Sequence, residues 1–280
     1  MTILGIPAGE LAVLVGAILI AGTLTGIFAG LLGIGGAAIS VPVMYEVFKA
    51  LGVADEVRMQ LCVGTALALI VPTSIRSYFA HRAKGMVDDE VLKIWALPII
   101  AGVVIGSFIA YFASATVFKL IFVVFATLMA FKLFFGRESW RIADLLPGKG
   151  VTAAVGLAIG VVSALMGIGG GAYAVLFLTL YGVSIHRAVS TSAGVGVLIS
   201  IPGVIGYMIA GWPQQALMPP LSIGYVSLLA VAVFAPMSVL AAPYGARMAH
   251  AWPRRRLEVA FGVFLMVVAI RFFASLMGWF

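Results

Sequence analysis

Two glycine runs, Gly33-Ile34-Gly35-Gly36-Ala37 and Gly167-Ile168-Gly169-Gly170-Gly171, are where this sequence is best equipped for chemistry. A helix that begins after such a run presents several unpaired N–H groups and the positive end of its dipole, which suits an anion. Consecutive glycines also let neighbouring N–H groups curl into a concave nest with no side chain in the way. Gly33, Gly35, Gly36 and Ala37, with Gly167, Gly169, Gly170 and Gly171, are therefore the first candidates for holding a small negatively charged ligand. Close helix packing is the competing explanation of the glycines. Recurrence of the same break at the same place in a repeat favours a site.

Side-chain donors follow each run. Thr65 in Val63-Gly64-Thr65-Ala66 and Ser190, Thr191 and Ser192 in Val189-Ser190-Thr191-Ser192 occupy matching positions. Their hydroxyls can donate to sulfite, sulfonate or carboxylate oxygens, although hydroxyls in membrane helices also bond their own backbone. Gln60 and Tyr173 are further candidates of the same type. Arg76 is the one basic residue in the interior of an otherwise uncharged stretch, and its guanidinium can grip an anion through two parallel bonds. The alternative is that it snorkels to the nearer surface. Lys132 and Arg271 read as interfacial anchors.

Absences narrow the chemistry. All ten carboxylates (Glu10, Glu46, Asp55, Glu56, Asp88, Asp89, Glu90, Glu138, Asp144 and Glu258) fall in predicted loops or at segment ends. Proton relays and cation sites usually need a carboxylate inside the membrane, so a cationic cargo is disfavoured, while backbone carbonyls still leave room for Na+. His81, His186 and His250 stand in predicted polar loops. Ser163 lies in Val161-Val162-Ser163-Ala164-Leu165-Met166, which is no nucleophile elbow, so no catalytic residues are expected and an intramembrane hydrolase is the weakest alternative. A single Cys62 permits no internal disulfide and matches no metal-ligand spacing, and neither a metal nor a cofactor is expected. No Walker-type Gly-Lys-Ser/Thr sequence couples the chain to ATP.

The elements that position these residues must be membrane helices. Of 280 residues 63% are hydrophobic and only 10% charged, against about 25% charged in soluble domains; a mean hydropathy of +1.19 is tolerated only where lipid covers the surface. No Asp, Glu, Lys or Arg occurs from Leu11 to Tyr45, from Ile94 to Phe118, from Gly150 to Ile185 or from Ala188 to Ala246. The alternation of a transmembrane barrel is missing. Met1 to Gly9 carries no Lys or Arg, so the first apolar run reads as a retained helix rather than a signal peptide. Helical segments are expected near 10–32, 36–50, 58–80, 91–113 and 116–136, then near 150–167, 170–184, 187–210, 220–243 and 255–277. The uncharged run from Leu11 to Tyr45 would be ~52 Å long as one helix, against a hydrocarbon core of ~30 Å. It has to break, and the glycines are the place.

The chain also repeats itself. Gly30-Leu-Leu-Gly-Ile-Gly-Gly-Ala37 returns as Ala164-Leu-Met-Gly-Ile-Gly-Gly-Gly171, displaced by 134 residues, and Gly22 and Gly26 return as Gly156 and Gly160. The four-residue spacing of these small residues reads as a stripe for close helix approach. Residues 1–140 and 141–280 are thus expected to be two membrane repeats. The expected fold is an all-α polytopic membrane protein of two inverted repeats, about five helical segments each, with a Gly-broken first helix pair in each half. Eight to ten crossings result, depending on whether the broken pairs span or form re-entrant hairpins. If the segments alternate, twelve basic residues (Arg82, Lys84, Lys93, Lys132, Arg137, Arg141, Lys149, Arg187, Arg247, Arg254, Arg255 and Arg256) share one side, and Lys49, Arg58, Lys119 and Arg271 the other. The richer side should be cytoplasmic, with both termini outside a bacterial inner membrane. The +7 net charge and pI near 9.8 follow from those loops and do not call for nucleic acid.

Gly26-Ile-Phe-Ala-Gly-Leu-Leu-Gly-Ile-Gly-Gly-Ala-Ala-Ile-Ser-Val-Pro42, Gly160 to Gly171, Val63 to Ala66 and the stretch Ala235-Pro236 through Ala242-Pro243-Tyr244-Gly245-Ala246-Arg247 resemble the sulfite exporter TauE/SafE family of membrane permeases. The resemblance covers nearly the whole chain. It implies a secondary transporter of sulfur-containing anions such as sulfite or organosulfonates, with exporters and uptake permeases among the members. Ala37 stands where a third glycine is usual, and Leu176 where the second half could match Pro42, so the halves are expected to contribute unequally. The reading is a secondary transporter, an exporter, working by alternating access with lipid and a small anion as its partners. It leaves room for a coupling ion (H+ or Na+) and leaves the oligomeric state open. A passive anion channel is the first alternative.

Overall fold

A computed structural model describes residues 2–3, 6–7, 16, 18–20, 22–27, 37–135, 141–251 and 254–279. After a two-residue antiparallel pair, β1 (Thr2–Ile3) with β2 (Ile6–Pro7), the described chain is helical: α1 (Ile18–Ile27), α2 (Ala37–Ala50), α3 (Asp55–Ala83), α4 (Asp89–Phe112), α5 (Ala115–Phe135), α6 (Lys149–Met166), α7 (Gly171–Leu180) and α8 (Ile185–Gly211). A 3-10 turn (Trp212–Leu217) and the short hairpin β3 (Ser222–Ile223) with β4 (Val226–Ser227) lead into α9 (Leu228–Ala251) and α10 (Arg254–Leu276). Among the described residues six helices are long and apolar enough to cross a membrane: α3, α4, α5, α6, α8 and α10. By contrast α2, with 14 residues, and α7, with 10, reach only ~21 Å and ~15 Å, short of the ~30 Å core.

One predicted boundary moves. The segment expected at 220–243 begins at Leu228 and continues to Ala251. Pro219 and Pro220 in succession remove two neighbouring ladder N–H groups, and the positive φ of Leu221 (59°) and Gly224 (52°) turns the chain into β3–β4. The three histidines expected in loops are helical instead: His81 lies in α3, His186 in the first turn of α8, and His250 in α9. Most of the segment expected at 10–32 lies outside the described residues.

At the centre α3 and α8 run antiparallel. Gly64 faces Tyr207 and Leu67 faces Gly203 at one end. Tyr78 faces Gly194 and His81 meets Ser190 at the other. Around this pair α4 lies on both α6 and α8, α10 lies along α5, α2 joins α3, and α7 joins α8. The glycine stripe serves this packing: Gly156 lies against the Trp95 ring, Gly160 against the Ile99 carbonyl and Gly102 against the Leu157 carbonyl, while Gly22 and Gly26 seat α1 on α9 at Phe234, Met237 and Ser238. Small residues allow this approach because dispersion between close backbones, not water exclusion, holds helices together in lipid. The outer surface is apolar, with Leu97, Val104 and Phe108 of α4, Leu128 and Phe131 of α5, and Val263, Val267 and Ile270 of α10 exposed.

At one end of the bundle a charged cluster ties four helices. Lys119 Nζ, buried, donates to both Asp55 oxygens (3.1 and 2.9 Å) and to Ser275 Oγ (3.2 Å). Arg58, also buried, bonds Asp55 Oδ1 (3.0 Å), Tyr45 Oη (3.3 Å) and the Val53 carbonyl. Both cations lie over the Tyr45 ring. Sequence placed Lys119 and Arg58 only as loop or edge charges.

Candidate functional site

The α6–α7 break is built by two left-handed glycines. Gly167 (φ 66°) ends α6, and the N–H groups of Gly167 and Ile168 both return to the Ser163 carbonyl, the second at 3.2 Å; this closes the last turn in the way a left-handed glycine permits. Gly170 (φ 67°) opens α7 with no side-chain cap, and the ladder starts with Ala174 N–H donating to the Gly170 carbonyl at 3.0 Å. The first-turn N–H groups of α7 are thereby left to be met from outside the helix.

The break lies deep in the bundle. Gly169 stands beside Ile70 and Gly196, close to the midpoints of α3 and α8. Gly167 rests on Val63 and Val41, and Gly170 on Ile199 and the Ser163 hydroxyl. Gly171 faces Ser192: a Cβ there would sit 3.6 Å from Ser192 Oγ. The residues around it are uncharged, so the field at this point comes from the α7 dipole.

Ala37 is the first residue of α2, while Gly33, Gly35 and Gly36 lie outside the described residues. Thr65 is fully buried and accepts the Ser227 N–H at 3.0 Å. Thr191 is fully buried and accepts the Asp88 N–H at 2.9 Å. Ser190 donates to the His186 carbonyl (2.7 Å) and lies 3.1 Å from His81 Nδ1. Ser192 donates to the Val189 carbonyl at 2.8 Å, and its Oγ lies beside Gly171. Tyr173 Oη reaches Met166 Sδ at 3.2 Å. Gln60 Nε2 holds the Ala113 carbonyl at the end of α4 at 3.1 Å, some distance along α3 from the break. Arg76 is exposed, two positions from the buried Ser74 and so about 200° round the helix from it. The structure therefore brings Gly167, Gly169, Gly170, Gly171 and Ser192 together, with Tyr173 in the first turn of α7.

One pair escaped the sequence reading. Ser74 Oγ and Ser200 Oγ, both buried, lie 3.5 Å apart where α3 crosses α8. They stand 126 positions apart, as do Thr65 and Thr191; that shared displacement was the available signal. Behind the break, a small apolar cavity of about 30 Å³ is lined by Met166, Ile168 and Tyr173 with Phe122 and Met129 of α5 and Leu265 of α10.

A bundle of long apolar helices around an interrupted, uncapped helix start defines a multi-pass membrane transporter. The chain belongs to the sulfite exporter TauE/SafE family, which matches residues 18–272. A probable membrane transporter protein of Haemophilus influenzae is 34% identical over 259 residues, 91% of this chain and 96% of that protein. One of Methanocaldococcus jannaschii is 29% identical over 220 residues, 78% of this chain and 80% of its own. A third, from Bacillus subtilis, is 26% identical and covers 69% of this chain and 78% of its own. No solved structure matches the chain. Family and relatives alike mark a membrane transporter and not an enzyme.

Proposed function

We propose that the protein is a secondary transporter that exports a small sulfur-containing anion, sulfite or an organosulfonate, by alternating access between two inverted halves. The observation that carries this is the uncapped start of α7 at mid-length of α3 and α8. Three outward N–H groups and the dipole's positive end meet an anion there without a fixed countercharge. Ser192 beside Gly171 supplies a hydroxyl once it turns from the Val189 carbonyl, to which it donates here. The run at Gly33, Gly35, Gly36 and Ala37 is the counterpart site in the first half, repeating the motif at a displacement of 134 residues. The sulfur chemistry comes from the family.

The inverted arrangement is supported by reciprocal contacts. Tyr207 lies on Gly64 and His81 on Ser190, and each residue of one contact is 126 positions from its counterpart in the other. Ser74 meets Ser200, its own counterpart, which is the contact expected of a residue beside a pseudo-two-fold axis. The sulfur anion then sits near that axis, where a rocking of one half against the other changes its exposure without moving it far.

The test is sulfite flux in proteoliposomes. Gly169→Val abolishes it with the protein still folded, because the new side chain's root meets Ile70 Cγ2 at 3.2 Å, which has to give by a few tenths of an ångström, and otherwise only ordinary contacts, with Gly196 Cα at 3.8 Å. Gly150→Val, where nothing lies within 4 Å, transports normally. Unchanged flux in Gly169→Val removes the break from the mechanism. Against a passive anion channel, the reading requires saturable uptake with counterflow and no single-channel current.

A further inference from the structure

We infer that Thr65 and Thr191 are positioning residues that latch opposite ends of the α3–α8 pair, and that releasing one or the other selects which end opens. The inference rests on the alternating-access reading above.

The two hydroxyls do the same thing in opposite places. Asp88 is the N-cap of α4: its carboxylate accepts the Val91 N–H at 3.2 Å. Ser227 stands in the same relation to α9, its hydroxyl accepting the Ala230 N–H at 3.2 Å. A cap residue's own N–H lies outside the helix ladder and needs a partner elsewhere. Thr191 meets that of Asp88 and Thr65 that of Ser227. Each threonine thus grips the start of a helix from the other half, Thr191 of the second half holding α4 and Thr65 of the first half holding α9. Thr65 and Thr191 are themselves equivalent, 126 positions apart. The pairing is crossed and reciprocal.

Geometry separates the latches. Thr191 follows Ser190, which meets His81, and Thr65 follows Gly64, which meets Tyr207. From Thr65 to the level of His81 is about 24 Å along α3 at 1.5 Å per residue. One latch therefore closes each end of the central pair, with Ser74 and Ser200 between them. Their reinforcements differ. At the Asp88 end, Arg187 pairs with the Asp88 carboxylate at 3.0 Å. His81 adds a second tie: Ser190 gives its proton to the His186 carbonyl, so the His81 contact needs Nδ1–H as donor. At the Ser227 end the ring of Tyr207 stands 6.4 Å from that of Tyr225, and the Tyr225 N–H donates to the Tyr207 carbonyl at 3.1 Å. Both latches are closed together here, as an occluded carrier requires.

The experiment uses the full chain with Cys62, its sole cysteine, changed to alanine and Ser74→Cys as a reporter midway between the latches. A membrane-impermeant methanethiosulfonate is applied from either face of oriented vesicles, without substrate. Thr191→Val keeps the shape and removes the acceptor; it raises modification from the Asp88 end about threefold, the value of one hydrogen bond between membrane helices, and lowers it from the Ser227 end. Thr65→Val does the reverse. Thr191→Ser and Thr65→Ser, which keep the hydroxyl, restore the native balance. A role confined to holding the fold would move both faces alike, and that outcome, or no change, overturns the latch. Should either valine variant fail to fold, hydrogen exchange in the native protein decides: on adding sulfite, the Asp88 and Ser227 amides change in opposite directions, and parallel changes refute the proposal. The site reading is judged separately. If Gly169→Val still transports while the opposite bias persists, the site fails and the latches stand; if Gly169→Val is dead and the bias is absent, the reverse holds.

Discussion

At the scale of single residues, the break depends on which glycine is replaced. Gly170 combines φ 67° with Ile199 Cδ1 standing where a Cβ would go, so Gly170→Ala meets both backbone strain and a clash, and is expected to lower the yield of folded protein in size-exclusion chromatography. Gly169→Ala meets Ile70 at 3.2 Å and otherwise only ordinary contacts, so its yield should match the native chain. The buried cluster makes a second prediction by the same logic. Asp55 is the only carboxylate, among the described residues, bonded to both Lys119 and Arg58. Asp55→Asn strands two buried cations and should cost about 3 kcal/mol in stability. Lys119→Met leaves Asp55 paired with Arg58 and should cost clearly less. Thermal unfolding of the two detergent-solubilised variants gives the order, and equal losses would mean that the cluster is not bound together as described.

At the scale of elements, helix contacts are set by what is missing from glycine. Gly102 of α4 and Gly160 of α6 bring their backbones together, and a Cβ on either meets a carbonyl of the other helix. Gly160→Leu should push α4 from α6 and destabilise by about 1–3 kcal/mol, the range for overpacking, seen as a lower thermal midpoint. Gly148→Leu, open on all sides, should change nothing. Ser227→Ala tests the start of α9 in a milder way: it removes the cap on Ala230 N–H, worth about 1 kcal/mol, while leaving the Ser227 N–H on Thr65.

At the scale of the whole molecule, the two ends of the central pair respond differently to salt. The Arg187–Asp88 pair is partly exposed, with Arg187 at 58%, so ionic strength screens it; the Ser227 end carries no ion pair among its named contacts. Raising salt from about 10 mM to about 1 M shortens the Debye length from ~30 Å to ~3 Å and should increase thiol access from the Asp88 end alone. Equal response at both ends would argue against the difference in reinforcement.

The sequence by itself determined that the chain is a helical membrane protein, where its long helices fall, and where the chain must break. Hydropathy fixes the first because lipid accepts what water does not. Membrane thickness fixes the last because the uncharged run of 36 residues from Gly150 to Ile185 is too long for one crossing and breaks at Gly167–Gly170. The break expected between Leu11 and Tyr45 falls on residues 28–36, outside the described ones. Repeated spacing made Gly167 to Gly171, Thr65 and Thr191 legible as matched positions. The start of α9 was misplaced because hydropathy continues through Pro219, Pro220 and the β3–β4 turn without a charge to mark them. Only the tertiary structure decided what each hydroxyl touches. Thr65 and Ser192 are alike in sequence as polar residues early in a helix, yet one meets a backbone amide 162 positions away and the other bonds three residues back and faces the break. That choice is made by packing α3 against α8 and α9, and partners brought together from distant parts of the chain leave no local pattern to read.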